Sequence, residues 1–243
     1  MLINKIKELF SYREVVYALA VREIKSRYKQ SLIGASWAII QPLSLMFIFT
    51  IIFDKFFKVN TSNSVAYPIF VFSTLVPWTF FSKSLSHGVS SLVSNRLLVT
   101  KIYFPKEILP LSMIMANIFD LIISSSVLLI MMIYYKVVFS TQLFLLIPLF
   151  AILLILTTAF SVFLAAANVF FRDIGNAMAL LMQIWMYATP IIYSSKNIPQ
   201  EYLPWYFILN PVSPIIEGFR ATLTNGQFPA LIYFIISFSS SLV

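Results

Sequence analysis

Six stretches of the chain are free of charge, or nearly so, and long enough to dictate how it can fold. No Asp, Glu, Lys or Arg lies between Lys29 and Asp54, and the same holds for 59–82, 137–171, 174–195 and 221–243, while 108–135 is interrupted only by Asp120. An α-helix needs ~20 mostly apolar residues to cross the ~30 Å hydrocarbon layer of a bilayer, and all but one of the stretches supply that as they stand. Lipid offers no hydrogen-bond partner to a bare backbone, so an open chain crosses it as helix. The expected fold class is an all-α membrane protein with six transmembrane helices. The composition agrees, with 60% apolar residues against ~45–50% in soluble domains. The longest pieces outside the spans are the N-terminal 32 residues, the 83–107 loop and the 195–227 segment. None of these can bury a core of its own, so residues 1–243 read as one transmembrane domain. Past Pro229 only 14 residues remain, about 21 Å of helix. The expectation is that the sequence stops inside the sixth span, with a basic cytoplasmic tail beyond it.

Counting excludes several activities. There is no cysteine, hence no thiolate nucleophile or thiolate metal site, and the single histidine, His87, cannot build a multi-histidine centre. It reads as a polar residue at a helix end. No metal and no cofactor is expected. The five glycines are Gly34, Gly88, Gly175, Gly218 and Gly226. No two are five positions apart, so the phosphate loop of an ATPase cannot be assembled. The N-terminus lacks the apolar run and small-residue cleavage site of a signal peptide, so the first span stays in the mature protein.

The 17 Lys and Arg are distributed unevenly. Residues 1–32 hold seven, 83–107 hold four and Arg172 stands between spans four and five, twelve in all. The alternate connections hold five: Lys55, Lys58, Lys136, Lys196 and Arg220. The positive-inside rule places the richer set, and the N-terminus, in the cytoplasm. Pro42, Pro77, Pro110, Pro148 and Pro190 fall in or near spans and mark kinks or ends.

Four features invite a functional reading. In the N-terminal segment, Leu2, Ile3, Ile6, Leu9 and Phe10 recur at helical spacing, as in a helix lying in the interface plane. Behind it Arg22, Lys25 and Lys29 share a helical face, and Glu23 can pair with Arg27 at i,i+4. Such a surface suits anionic lipid headgroups or a cytoplasmic partner protein. In the 83–107 loop, Ser94 or Asn95 can cap a short helix that Pro105 stops, carrying Arg96 and Lys101. The 195–229 segment has five prolines, yet apolar runs at Tyr202–Leu209 and Ile215–Leu223, with Ser213-Pro214 as a helix start and Asn225-Gly226 as an end. Two short external helices result, lying on the membrane surface or forming a re-entrant hairpin. Finally, Trp37, Gln41 and Ser44 line one face of the first span, and Asn176, Gln183, Tyr187 and Pro190 one face of the fifth. Polar stripes on spans turn inward, as interhelical glue or as a pore lining. A lining of flat aromatic faces and hydrogen-bonding groups would suit sugar rings. Asp120, a lone carboxylate in mid-span without a basic partner or a second carboxylate, is poor material for a proton relay and reads as structural.

Three blocks then stand out in order: Val21–Leu43 (VREIKSRYKQSLIGASWAIIQPL), Val169–Gly175 (VFFRDIG) and Leu209–Arg220 (LNPVSPIIEGFR). Together they resemble the type-2 ABC exporter permeases of cell-surface polysaccharides (O-antigen, capsule and teichoic acid), most of all the O-antigen exporters. The resemblance runs from about residue 10 to 225. It implies a homodimer of six-span subunits in the inner membrane, bound to two copies of a cytoplasmic ABC ATPase and moving a lipid-linked polysaccharide. By the same resemblance, residues 1–32 and the 94–104 coupling helix would dock the ATPase through Arg22, Lys25, Lys29, Arg96 and Lys101. The first and fifth spans would line the channel through Trp37, Gln41, Ser44, Asn176, Gln183 and Tyr187. The 195–229 segment, with Pro199, Trp205, Pro211, Pro214 and Glu217, would be the external gate, a re-entrant helix pair. Two other readings compete: a type-2 ABC exporter of small molecules, and a membrane enzyme acting on a lipid-linked glycan. The enzyme would need carboxylates or histidine near the membrane surface, whereas Asp54, Glu201 and Glu217 are far apart in sequence.

Overall fold

The computed structural model describes residues 2–29, 33–56, 65–224, 228–229 and 231–240. Among these residues every regular element is helical. Lys58, the Asn225-Gly226 helix end and residues 30–32 of the N-terminal segment lie outside the described residues.

The N-terminal segment forms two helices, α1 (Leu2–Ser11) and α2 (Arg13–Lys29). Gly34, with φ 56°, takes a left-handed conformation that costs a residue with a Cβ far more, and the chain re-enters helix as α3 (Trp37–Phe49). A π-helical turn, Thr50–Phe56, extends α3. Next come α4 (Tyr67–Ser94), the short α5 (Arg96–Lys101) and α6 (Ile108–Tyr134). A 3₁₀ turn at Thr141–Leu145 leads into α7 (Leu146–Phe170), followed by α8 (Asp173–Ala188), α9 (Leu203–Leu209), α10 (Ser213–Thr224) and α11 (Leu231–Ser240). Pro110 and Pro148 fall in the first turns of α6 and α7, where a missing N–H breaks no helical bond. Pro190 lies just beyond α8, whose last residue is Ala188. Pro42 and Pro77 are interior to α3 and α4.

Among the described residues three helices are long and apolar enough to cross a membrane: Trp37–Phe56, Ile108–Tyr134 and Thr141–Phe170. The 28-residue α4 is longer than a bilayer requires but is not among them. Its sequence is diluted by Ser, Thr, Lys83 and His87, which it tolerates because it is the hub of the bundle. It packs against α3, α6, α7, α8 and α10. Ile69, Val71, Phe72, Leu75, Phe81, Leu85 and Val89 of α4 are fully buried. Contact with α7 is close at Gly88, where an added Cβ would lie 2.8 Å from the Ser161 hydroxyl.

Two expectations are corrected here. Lys83 and His87 are not loop or helix-end residues, because α4 runs unbroken to Ser94. Charge marks the end of a span only where the helix faces lipid, and α4 faces protein. Arg220 lies in the 195–229 segment as expected but is buried there, 3% exposed.

Candidate functional site

Polar residues gather in two buried clusters, and two further polar stripes lie on the outside of the bundle. The first cluster joins the N-terminal segment to the spans. On α2, the Arg27 Nε–H donates to Glu23 Oε1 at 3.0 Å, the i,i+4 pair expected from the sequence. Its Nη1 donates to Asn117 Oδ1 of α6 at 2.7 Å and lies 3.7 Å from Asp120 Oδ2. The neighbouring Tyr28 hydroxyl donates to Asp120 Oδ1 at 2.5 Å. Burial and this hydrogen bond push the Tyr28 phenol well above its ordinary range, so it remains a proton donor. His87 Nδ1 of α4 lies 3.3 Å from Asn117 Oδ1. Lys83 and Asp120 line the same narrow cavity of about 10 Å³, beside Thr79 and Ser124. Asp120 is 8% exposed. The expectation that it lacks a basic partner is therefore overturned. The partner comes from α2, 93 positions earlier in the chain, and burial of the carboxylate is offset by the charge-assisted Tyr28 hydrogen bond and the Arg27 ion pair.

The second cluster closes the opposite end. After α8 the backbone unwinds over 189–195, and its carbonyls are collected by side chains of the following helices and of α4. Arg220 on α10 donates through Nη1 to Tyr193 O at 3.0 Å, and through Nη2 to Ile191 O at 2.9 Å and to Pro190 O. Its guanidinium stacks on Phe70, 3.9 Å from the ring centre, and pairs with Glu217 Oε2 at 2.9 Å. Ser195 donates to the other Glu217 oxygen at 2.9 Å. Tyr67 reaches Ile192 O at 2.9 Å. Tyr206 on α9 donates to Ala188 O at 2.6 Å, and Asn210 donates to Ala188 O and Thr189 Oγ1 while accepting from Trp185 Nε1. Irregular backbone is thus enclosed in protein, as a span must arrange it. Of the gate residues named from the sequence, Pro211, Pro214 and Glu217 are buried here, whereas Pro199 and Trp205 are exposed. Sequence reasoning missed Arg220, Tyr206 and Asn210. Only the position of Asn210 and Arg220 inside the Leu209–Arg220 block hinted at them.

The stripe residues lie elsewhere. Trp37 (44% exposed), Gln41 and Ser44 on α3 face outward, as do Asn176, Gln183 and Tyr187 (54% exposed) on α8. Both helices pack on α4. Within one subunit, then, the stripes glue nothing together. Phe47 and Leu181, off the stripes, are exposed too, so the whole outer sides of α3 and α8 lie open. Of the basic residues, Lys25, Lys29, Arg96 and Lys101 are exposed. Arg22 is exposed but engaged, its Nη2 donating to Asn95 Oδ1 at 2.8 Å. Asn95 stands at the start of α5 but does not cap it through its side chain. Its amide donates instead to Ser91 O at 2.9 Å. Among the described residues no three His, Asp or Glu converge on a metal site.

A helical bundle with a broken helix sealed by the following pair, and with no phosphate loop, has the make-up of a membrane transport subunit. The model of the ABC-2 type transporter family matches residues 14–224, and the chain belongs to that family. The sequence is 30% identical over 230 residues to the O-antigen export system permease protein RfbA of Myxococcus xanthus, covering 94% of this chain and 87% of the relative. It is 28% identical over 226 residues to the RfbA protein of Klebsiella pneumoniae, covering 91% and 86%. The polysialic acid transport protein KpsM of Escherichia coli is 24% identical over 218 residues, covering 87% and 81%.

Proposed function

We propose that this chain is the permease subunit of an ATP-driven exporter that carries a lipid-linked polysaccharide of the O-antigen kind out of the cytoplasm. The observation that carries this reading is the likeness to O-antigen export permeases along nearly the whole chain, including the three sequence blocks. The subunit spans the inner membrane six times as a single domain, with its N-terminus in the cytoplasm. By the family resemblance it works as a homodimer with two copies of a separate ABC ATPase, and the glycine spacing, which allows no phosphate loop, agrees with hydrolysis by another chain.

The open outer sides of α3 and α8 support a path shared between two subunits. Their stripes (Trp37, Gln41, Ser44 and Asn176, Gln183, Tyr187) would line it, offering hydrogen bonds and flat aromatic faces to successive sugars. Bulky aromatics would hold such a path dewetted at rest. The exposed Arg96, Lys101, Lys25 and Lys29, with Arg22, form the ATPase-docking surface of residues 1–32 and the 94–104 coupling segment, against anionic membrane lipids. The 195–229 segment acts as external gate, with α10 seated in the bundle and Pro199 and Trp205 at its rim.

The test is reconstitution. The purified polypeptide alone should hydrolyse no ATP, and the complex with its ATPase should hydrolyse ATP and move lipid-linked glycan across the vesicle membrane. Hydrolysis by the clean, lone polypeptide would sink the reading.

A further inference from the structure

We infer that Arg27, Tyr28, Asn117 and Asp120 form a positioning cluster through which movement of the cytoplasmic docking surface is transmitted to the spans. The inference rests on the permease reading above and adds a site to it. Four observations carry it, and they join end to end. Arg22 of α2 is bonded to Asn95 where α4 gives way to α5 (2.8 Å), so the two elements that carry the docking residues are fastened to each other. One and a half turns further along α2, Arg27 and Tyr28 are bonded to Asn117 and Asp120, which stand one turn apart on α6. Asn117 also meets His87 of α4. Finally, one turn beyond Asp120, the Ser124 hydroxyl donates to Ala38 O at 3.0 Å, fastening α6 to the first turn of α3. Gln41 of the outward stripe is one turn further on.

The chemistry suits transmission better than mere stability. Asp120 lies near the middle of α6, so the end of α2 reaches along α6 to its centre. Two apolar side chains in contact can slide past each other. A carboxylate held by a phenol and a guanidinium cannot shift without leaving a buried group unpaired, which is costly. Displacement of α2 and α5 by a partner must therefore move α6, and with α6 the start of α3, or break the cluster. The cluster also has unspent capacity: Arg27 Nη2 and Asn117 Nδ2 are buried without a hydrogen-bond partner. A second arrangement that satisfies them is open to it, which is what a two-state linkage requires.

The experiment uses the complex with its ATPase, reconstituted in liposomes. The chain has no native cysteine, so a single reporter, Gln41→Cys, can be read with a water-soluble maleimide with and without ATP. Tyr28→Phe and Asp120→Asn are introduced singly and together; Tyr28→Phe removes one oxygen and little else. Co-purification of the ATPase and the rate of ATP hydrolysis should stay within about twofold of the unmodified complex. The ATP-dependent change in labelling should fall about five- to tenfold. The loss in the double variant should fall short of the sum of the two single losses, because both weaken the Tyr28–Asp120 contact.

Two results would overturn the inference. One is an unchanged labelling response in both single variants. The other is a parallel loss of hydrolysis, labelling response and melting temperature in both, which is what a purely structural role produces. Failure of the functional reading looks different: the parent complex itself then hydrolyses no ATP with its ATPase bound, and the inference falls with it.

Discussion

Two arginines, Arg220 fully buried and Arg27 partly so, do different kinds of work. Arg220 lies 3% exposed at the end of the bundle that α9 and α10 close, and its guanidinium serves a short stretch of chain: the carbonyls of Pro190, Ile191 and Tyr193, and Glu217 one turn back on its own helix. It holds an irregular backbone in shape. Arg27 is only partly buried; besides Glu23 one turn back on its own helix, it serves residues of another helix, Asn117 and Asp120. It holds two elements together. Burial depth and partner type thus separate an arginine that keeps a local conformation from one that ties the N-terminal segment to α6.

The comparison can be broken by substitution. Arg220→Ala leaves Glu217 buried without its cation and takes a donor from three carbonyls, of which Ile191 O keeps the Thr74 hydroxyl. Removing one partner of a buried pair costs about 3–5 kcal/mol, so the detergent-purified variant should melt well below the parent. Arg220→Lys should recover only a small part, since a point charge cannot span the carbonyl fan that the planar guanidinium meets. Should Arg220→Ala melt with the parent, the broken helix would be held by Tyr67, Tyr206 and Asn210 alone.

Arg27→Ala should cost less, about 1.5–3 kcal/mol, the worth of hydrogen bonds to a charged group, and Tyr28 remains to hold Asp120. A melting shift for Arg27→Ala larger than that of Arg220→Ala would reverse the ranking and with it the distinction drawn here.

A third test sharpens the contrast between sealed and open regions. Single cysteines replacing Gln41, Gln183 and Tyr187 should react with water-soluble thiol reagents more readily than those replacing Phe47 or Leu181, and more so during turnover. All five positions are exposed in one subunit, so a difference reports access of water rather than burial. Equal, negligible labelling would place the path elsewhere.

The smallest effect is expected from charge reversal at Arg96 and Lys101, each worth about 1 kcal/mol at an anionic surface. Retention of the ATPase on purification should weaken more than membrane insertion does. Reversal at Arg22 should do more than reversal at Lys25, because Arg22 is also bonded to Asn95. Unchanged co-purification in all four variants would make these residues lipid anchors.

Much of this was legible in the residues. The helices at Arg96–Lys101, Leu203–Leu209 and Ser213–Thr224 fall within the stretches expected of them, with Pro204 and Pro214 in the first turns of the last two, although Asn95 does not cap the first through its side chain and that helix ends four residues before Pro105. The Glu23–Arg27 pair follows from i,i+4 spacing alone. The stripes on α3 and α8 were visible as polar periodicity, although periodicity could not say whether they face inward within one subunit; the structure turns them outward. Lys83 and His87 were misplaced because hydropathy reports on contact with lipid, and α4 has protein on its sides.

What the sequence determined by itself is whatever depends on length, order and count. Uncharged runs set a helical membrane fold, five widely spaced glycines exclude a phosphate loop, and three blocks in order point to the family. Only the tertiary structure decided which partner each buried charge takes. Asp120 meets Tyr28 across 92 positions, and Arg220 meets Pro190 across 30. Such pairings depend on which helix faces lie together. In a chain whose spans are nearly all apolar, those faces are chosen by packing against α4, a property no local pattern encodes.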